Sequence, residues 1–112
     1  MNWRKLISCC VFFIIIPFSL FSYADPVWID VRSAGERMID NIEGDIRISH
    51  GEIVAEISKL VSDKDTEISL YCRSGGRASE ARSALLDAGY TNVSNVGGIN
   101  DARKARGLSE AQ

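Results

Sequence analysis

Cys72 and Arg77, with Arg73, Ser74, Gly75 and Gly76 between them, are the residues of this chain whose types and spacing could do chemistry. A thiolate is a strong nucleophile, and a short loop of backbone N–H groups beside cations is a receptor for small anions. Ile68 to Tyr71, just before the cysteine, is an apolar run that reads as a buried strand, while Ala78, Ala81, Leu85 and Ala88 recur at helical spacing after it. The strand delivers the sulfur to a strand-to-helix turn, the glycines let N–H groups face inward, and the helix N-terminus adds positive potential. Together with the two arginines these should lower the thiol pKa from its free-chain value near 8.5 towards or below neutrality.

The flanking elements follow from pattern. Val27 to Val31 reads as a strand broken only by Asp30, and Ser33 with Glu36 forms a capping box for a short helix. Asn41 to Asp45 is a polar connection, and Ile46 and Ile48 suggest a second strand. Ser49 and Glu52 make a second capping box, for an amphipathic helix over residues 50–62 carrying Ile53, Ile57, Leu60 and Val61. The helix after Cys72 ends at Gly89 as its cap. Asn92 to Val96 is the last strand, Gly97-Gly98 turns the chain, and Asn100 to Arg106 is a short final helix before a tail that frays from Ser109. Strands alternating with helices imply an α/β domain with a parallel sheet and right-handed crossovers. Ligands of such sheets bind beyond the carboxyl ends of the strands, where Cys72 lies.

The N-terminus reads as a targeting segment. Arg4 and Lys5 precede an apolar run of 16 residues, Leu6 to Phe21, and Ser22-Tyr23-Ala24 offers small residues at the −3 and −1 positions. The run is short of the about 20 residues that span a bilayer, and Pro17 interrupts it. Residues 1–24 are therefore expected to be a signal peptide cleaved after Ala24, giving an exported, periplasmic domain of residues 25–112 that is free of the membrane. Those 88 residues suffice for one core, and their 11 basic against 15 acidic side chains form no basic stripe, so a nucleic-acid role is excluded. Cys9 and Cys10 leave with the signal. Cys72 then stands alone, which in an oxidising compartment points to a reactive thiol and rules out dithiol exchange. A monomer is expected.

The loop resembles the active-site loop of the rhodanese family, and more of the chain agrees. Ile29-Asp30-Val31-Arg32 followed by Glu36 is similar to the Asp-Val-Arg…Glu signature of that family, and Asp87-Ala-Gly-Tyr90, Val93 and Val96-Gly97-Gly98-Ile99 resemble its closing strand and Gly-Gly turn. The likeness covers roughly residues 27 to 102 and is greatest to the small exported single-domain members, of the phage-shock-protein E type. It implies a single rhodanese-like domain with a small parallel sheet of four to five strands flanked by helices. Two departures stand out. The usual Gly-His-Ile-x-Gly-Ala is here Asn41-Ile42-Glu43-Gly44-Asp45-Ile46, without the histidine, and only three residues precede Trp28 after cleavage, so an opening strand is missing and four strands are expected.

The resemblance implies transfer of the outer sulfur of thiosulfate to cyanide or a thiol through a Cys72 persulfide, with neither metal nor organic cofactor, and with a protein acceptor conceivable. Cys72 is then the nucleophile. Arg73, Ser74, Gly75, Gly76 and Arg77 bind substrate, with Arg77 facing the anion or supporting the loop. Asp30 and Arg32 read as structural support, His50 as a surface residue, and Trp28 as core. Two other functions compete: a non-enzymatic persulfide carrier or anion-binding module using the same loop, and a cysteine-loop phosphatase or arsenate reductase. Tyrosine phosphatases need Cys-x5-Arg. Here a four-residue spacer makes a smaller ring, and Ala78 stands where the wider ring would need arginine.

Overall fold

The computed structural model describes residues 25–109; the expected signal peptide lies outside them. Four strands form one parallel sheet in the order β2-β1-β3-β4: β1 is Val27–Asp30, β2 is Ile46–Arg47, β3 is Ile68–Cys72 and β4 is Val93–Gly98. The helices are α1 (Ala34–Ile39), α2 (Ile53–Leu60), α3 (Gly76–Asp87) and α4 (Ile99–Ala105). All three strand pairings are parallel, so every connection crosses over the sheet, as the alternation of elements required.

Strand β3 is buried along its whole length, and its side chains alternate between two apolar layers. Ile68, Leu70 and Cys72 join Ile29, Val31, Ile53, Ile57, Ala81, Leu85 and Tyr90 beneath α2 and α3. Tyr71 points to the other face, where it meets Ile42, Ile99 and Ala102 of the α4 side, with half-buried Trp28 and Val96 at the edge. Ala78 and Ala81 have no exposed surface, so α3 lies close against the sheet where larger side chains would hold it off. On the α4 side, the Tyr71 hydroxyl donates to Asp45 Oδ2 at 2.7 Å, and Arg106 Nη1 donates to the same oxygen at 2.7 Å. Burial, then the Asp45 contact, pushes the Tyr71 phenol far above its ordinary range. The Arg106 guanidinium lies 4.3 Å from the Trp28 ring, which ties β1 to α4 by a cation–π contact.

The Ser33–Glu36 capping box forms as expected, each residue bonding the other's backbone N–H. The second box does not. Glu52 N–H is taken by the Ser49 carbonyl at 2.9 Å in a 3₁₀ turn over His50–Glu52, leaving no donor for the Ser49 hydroxyl, and the α-helix runs only from Ile53 to Leu60. At the end of α3, Ala88 is the cap and Gly89, at φ 101°, follows it in the left-handed region. Gly97 and Gly98 do not turn the chain; they are the end of β4. Leu70 pairs with Asn95 and Tyr71 with Gly97, so Val96 is an extra residue that shifts the register and carries β4 alongside β3 as far as Cys72.

Candidate active site

Cys72 ends β3 at the carboxyl edge of the sheet and is 1% exposed. Its sulfur accepts a hydrogen bond from Gly75 N–H at 2.9 Å. Burial pushes the thiol pKa up, but the backbone N–H groups of Ala78, Ser74, Gly75 and Arg77 outweigh it and leave the thiol below its ordinary value. Those N–H groups belong to the loop and the first turn of α3, the part of a helix whose donors have no intrahelical partner. Main-chain dipoles of the turn are thus the leading influence that lowers this thiol, and the Arg77 charge is coupled to the sulfur as well.

Two glycines make the turn. Gly75 adopts φ 104°, and its carbonyl accepts from Ser79 N–H at 2.9 Å, the first helical bond of α3. Gly98, the register partner of Cys72, has no side chain because a Cβ there would collide with the Arg73 carbonyl. Asn95 braces the same turn: its Nδ2 donates to Gly75 O and its Oδ1 accepts from Gly97 N–H, each at 2.9 Å. Gly76 is different, for a Cβ on it would meet nothing within 4 Å.

The two arginines of the loop part company. Arg77 Nη1 and Nη2 donate to Glu36 Oε1 and Oε2 at 2.6 and 2.9 Å, a bidentate pair that fastens α3 to α1. Arg77, then the Ser33 N–H and hydroxyl, hold the Glu36 carboxyl well below the usual carboxylate range. Arg73 is exposed and has no ion-pair partner among the described residues. It lines a pocket of about 420 Å³ together with Arg32, Glu36, Ile39, Asp40, Ile99 and Asn100.

Asp30 and Arg32 are both buried and bonded to each other. Arg32 N–H and Nε donate to Asp30 Oδ1 at 2.9 and 3.0 Å, and Nη2 donates to Oδ2 at 2.9 Å. Arg32 Nη2 also reaches the Asp40 carbonyl at 2.5 Å, so the pair fastens the end of β1 to the end of α1. His50 lies at the surface, with Nε2 3.5 Å from Glu80 Oε1. Ser74 adds its N–H to the sulfur's surroundings. The sequence reading missed the Glu36–Arg77 pair and the Asn95 brace. Glu36 already had a local role in its capping box, and nothing about one residue signals a partner 41 positions away. The adjacent glycines at the end of β4 were a usable sign of close backbone approach.

A parallel sheet that presents a buried thiol at the carboxyl end of a strand, facing the N–H groups of a strand-to-helix turn, defines a cysteine-loop α/β domain. The comparisons with known proteins narrow this class. A family model described as Rhodanese-like domain matches residues 20–105. Thiosulfate sulfurtransferase PspE of Escherichia coli (strain K12) is 36% identical over 84 residues, covering 75% of this chain and 81% of that protein. A tRNA uridine(34) hydroxylase of Photorhabdus laumondii is 32% identical over 88 residues, which are 73% of this chain but only 25% of that enzyme. Among solved structures, a rhodanese with anions from E. coli superposes with a TM-score of 0.62 at 33% identity, covering 69% of this chain and 91% of that one. The chain belongs to the rhodanese family, and it is homologous to a sulfurtransferase.

Proposed function

We propose that the protein is a thiosulfate sulfurtransferase that works through a persulfide on Cys72. The observation that carries this reading is the Cys72 sulfur at the carboxyl end of β3, which accepts a hydrogen bond from Gly75 N–H at 2.9 Å inside the turn and is followed in sequence by Arg73, an arginine with no ion-pair partner among the described residues. In the first half-reaction the Cys72 thiolate attacks the outer sulfur of thiosulfate. A new S–S bond forms, the bond to the sulfonate sulfur breaks with its electron pair, and sulfite leaves. The outer sulfur remains as a Cys72 persulfide anion, and the N–H groups that held the thiolate receive its charge. In the second half-reaction cyanide or a thiolate attacks that outer sulfur and the Cys72 thiolate departs.

In this scheme Arg73 supplies the charge that meets the thiosulfate dianion. Arg77, engaged by Glu36, holds the loop; Ser74 and Gly75 present N–H groups; Gly76 opens α3. Asp30 and Arg32 support the loop from β1. The homology to a thiosulfate sulfurtransferase and to a rhodanese whose structure carries anions supports the choice of substrate. The reaction as written consumes no cofactor.

Mass spectrometry after incubation with thiosulfate tests the scheme. Cys72 should gain one sulfur, about 32 mass units, which cyanide removes, and Cys72→Ser should abolish both adduct and turnover. An adduct elsewhere, or activity surviving in the variant, would sink the mechanism. Repeated turnover with cyanide separates an enzyme from a carrier, which would load once and stall. We also propose export with cleavage after Ala24, leaving a monomeric domain of residues 25–112. The intact mass of the exported protein should correspond to a chain that begins at Asp25.

A further inference from the structure

Another pocket, of about 590 Å³, opens at the start of β1, and Asp25, Trp28, Asp45 and Arg106 are among the residues that line it. The Asp45 side chain is only 4% exposed, and the bonds it accepts from the Tyr71 hydroxyl and from Arg106 Nη1 both end on Oδ2. Oδ1 has no partner among the described residues. A buried carboxylate oxygen without a donor is costly, and it calls for one. Charge points the same way. The lining carries two acids, Asp25 and Asp45, against one base, Arg106, whose guanidinium also lies on the Trp28 ring. Arg37 reaches Asp45 only at its main-chain carbonyl. The chain itself can bring a cation to this place. Cleavage after Ala24 turns the Asp25 amide into an α-ammonium with three donors. Val27 N–H is held by the Glu67 carbonyl at 2.9 Å, so the new terminus lies two residues from a fixed point, about 7 Å of extended chain. Pro26 between them locks its own φ and keeps Asp25 extended, so little freedom is lost when the terminus docks.

We propose that removal of the signal segment completes the fold: the α-ammonium of Asp25 pairs with Asp45 Oδ1 across this pocket. The inference rests on the cleavage after Ala24 proposed above. In the precursor the same nitrogen is a neutral amide, and the ion pair cannot form. Asp45 also holds the Tyr71 hydroxyl, and Tyr71 precedes Cys72 in β3, so the new pair tightens the strand that carries the nucleophile. The exported chain is thus the more stable form, and the fold that presents Cys72 is consolidated only after export.

The exported protein, compared with a form that retains Ala24 and is released from a cleavable fusion, tests the proposal. The extra residue carries the amine about 3.5 Å along the chain from its partner. At pH 6 the exported form should melt roughly 5 °C higher, the shift that a hydrogen bond to a charged group gives a domain of this size. The charged and titratable groups facing the amine are Asp25, Asp45, Arg106 and Tyr71. The paired amine has a folded pKa above its unfolded value near 7.7, so the advantage is complete below that value and is lost as pH rises through the folded pKa. Asp45→Asn should erase the difference between the two forms, and a difference that persists in the folded variant would overturn the pairing. A second readout does not need that variant. Acetylation at the Asp25 nitrogen, mapped by mass, should have a higher pH midpoint in the folded exported protein than in the same protein in urea. Equal melting of the two forms, or equal acetylation midpoints in folded and unfolded protein, would overturn the pairing alone. An exported mass that begins elsewhere than Asp25 would overturn the cleavage reading and this proposal with it.

Discussion

Cys72 is a buried thiol made ionisable by main-chain donors, and this arrangement has a pH signature. Its folded-state pKa is depressed, so the thiolate persists below the ordinary thiol value near 8.5, and the stability it contributes is present above that value and lost as pH falls through the folded pKa. The rate of alkylation by iodoacetamide should therefore show a midpoint below 8.5. A midpoint at or above 8.5 would mean that burial wins over the N–H groups. The two loop glycines should also separate. Gly75→Ala forces a Cβ into the left-handed region and should cost about 1 kcal/mol, with the alkylation midpoint moving up as the Gly75 N–H is displaced. Gly76→Ala adds a methyl to open space at the start of a helix and should leave the denaturation midpoint the same or slightly higher. Equal losses in the two variants would contradict the assignment of the turn to Gly75.

At the scale of elements, α1 and α3 are joined by Glu36 and Arg77, and the join can be separated from the cap. Glu36→Gln retains a side chain able to complete a capping box but removes the charge that pairs with Arg77. The variant should lose about 1 kcal/mol at neutral pH. The Glu36 carboxyl is depressed, so the wild-type advantage is complete above the unfolded carboxylate value near 4.3 and declines as pH falls below it. Urea titrations of the two proteins should converge on acidification. Curves separated by the same amount from pH 7 to pH 3 would show that the ion pair is not the source. Much at this scale was legible beforehand. Period and caps located β1, α1, β3 and α3, because apolar repeats report burial directly. The second capping box was misread because the pattern Ser49-x-x-Glu52 also fits a 3₁₀ turn, in which the Ser49 carbonyl takes the bond its hydroxyl was expected to make.

In the whole molecule, the position of Cys72 was readable because a parallel α/β order places every strand's carboxyl end on one edge. The four strands seen lie within the four to five that the family resemblance implied. What could not be read was how far β4 runs. Glycines usually end strands, and here Gly97 and Gly98 extend one, since only a residue without a side chain can pass the Arg73 carbonyl. Tertiary approach overrode local preference at that point. The pairing choices of the arginines were hidden for the same reason: Arg77, Arg103 and Arg106 find acids on elements distant in sequence.

That extended β4 is also an edge strand, bonded to β3 on one side only. The loop over the sulfur leans on it through Asn95 and Gly98, so fraying of β4 should release the loop in the same event. Reagents too bulky for the closed loop should then react with the sulfur only when the edge opens. Hydrogen exchange makes this measurable. The opening free energy of amides in residues 93–98 should equal that derived from the slow reaction of Cys72 with a bulky maleimide, and Asn95→Ala should lower both together. Maleimide labelling that outruns amide exchange, or an Asn95 variant that changes one rate alone, would show that the sulfur has a separate door.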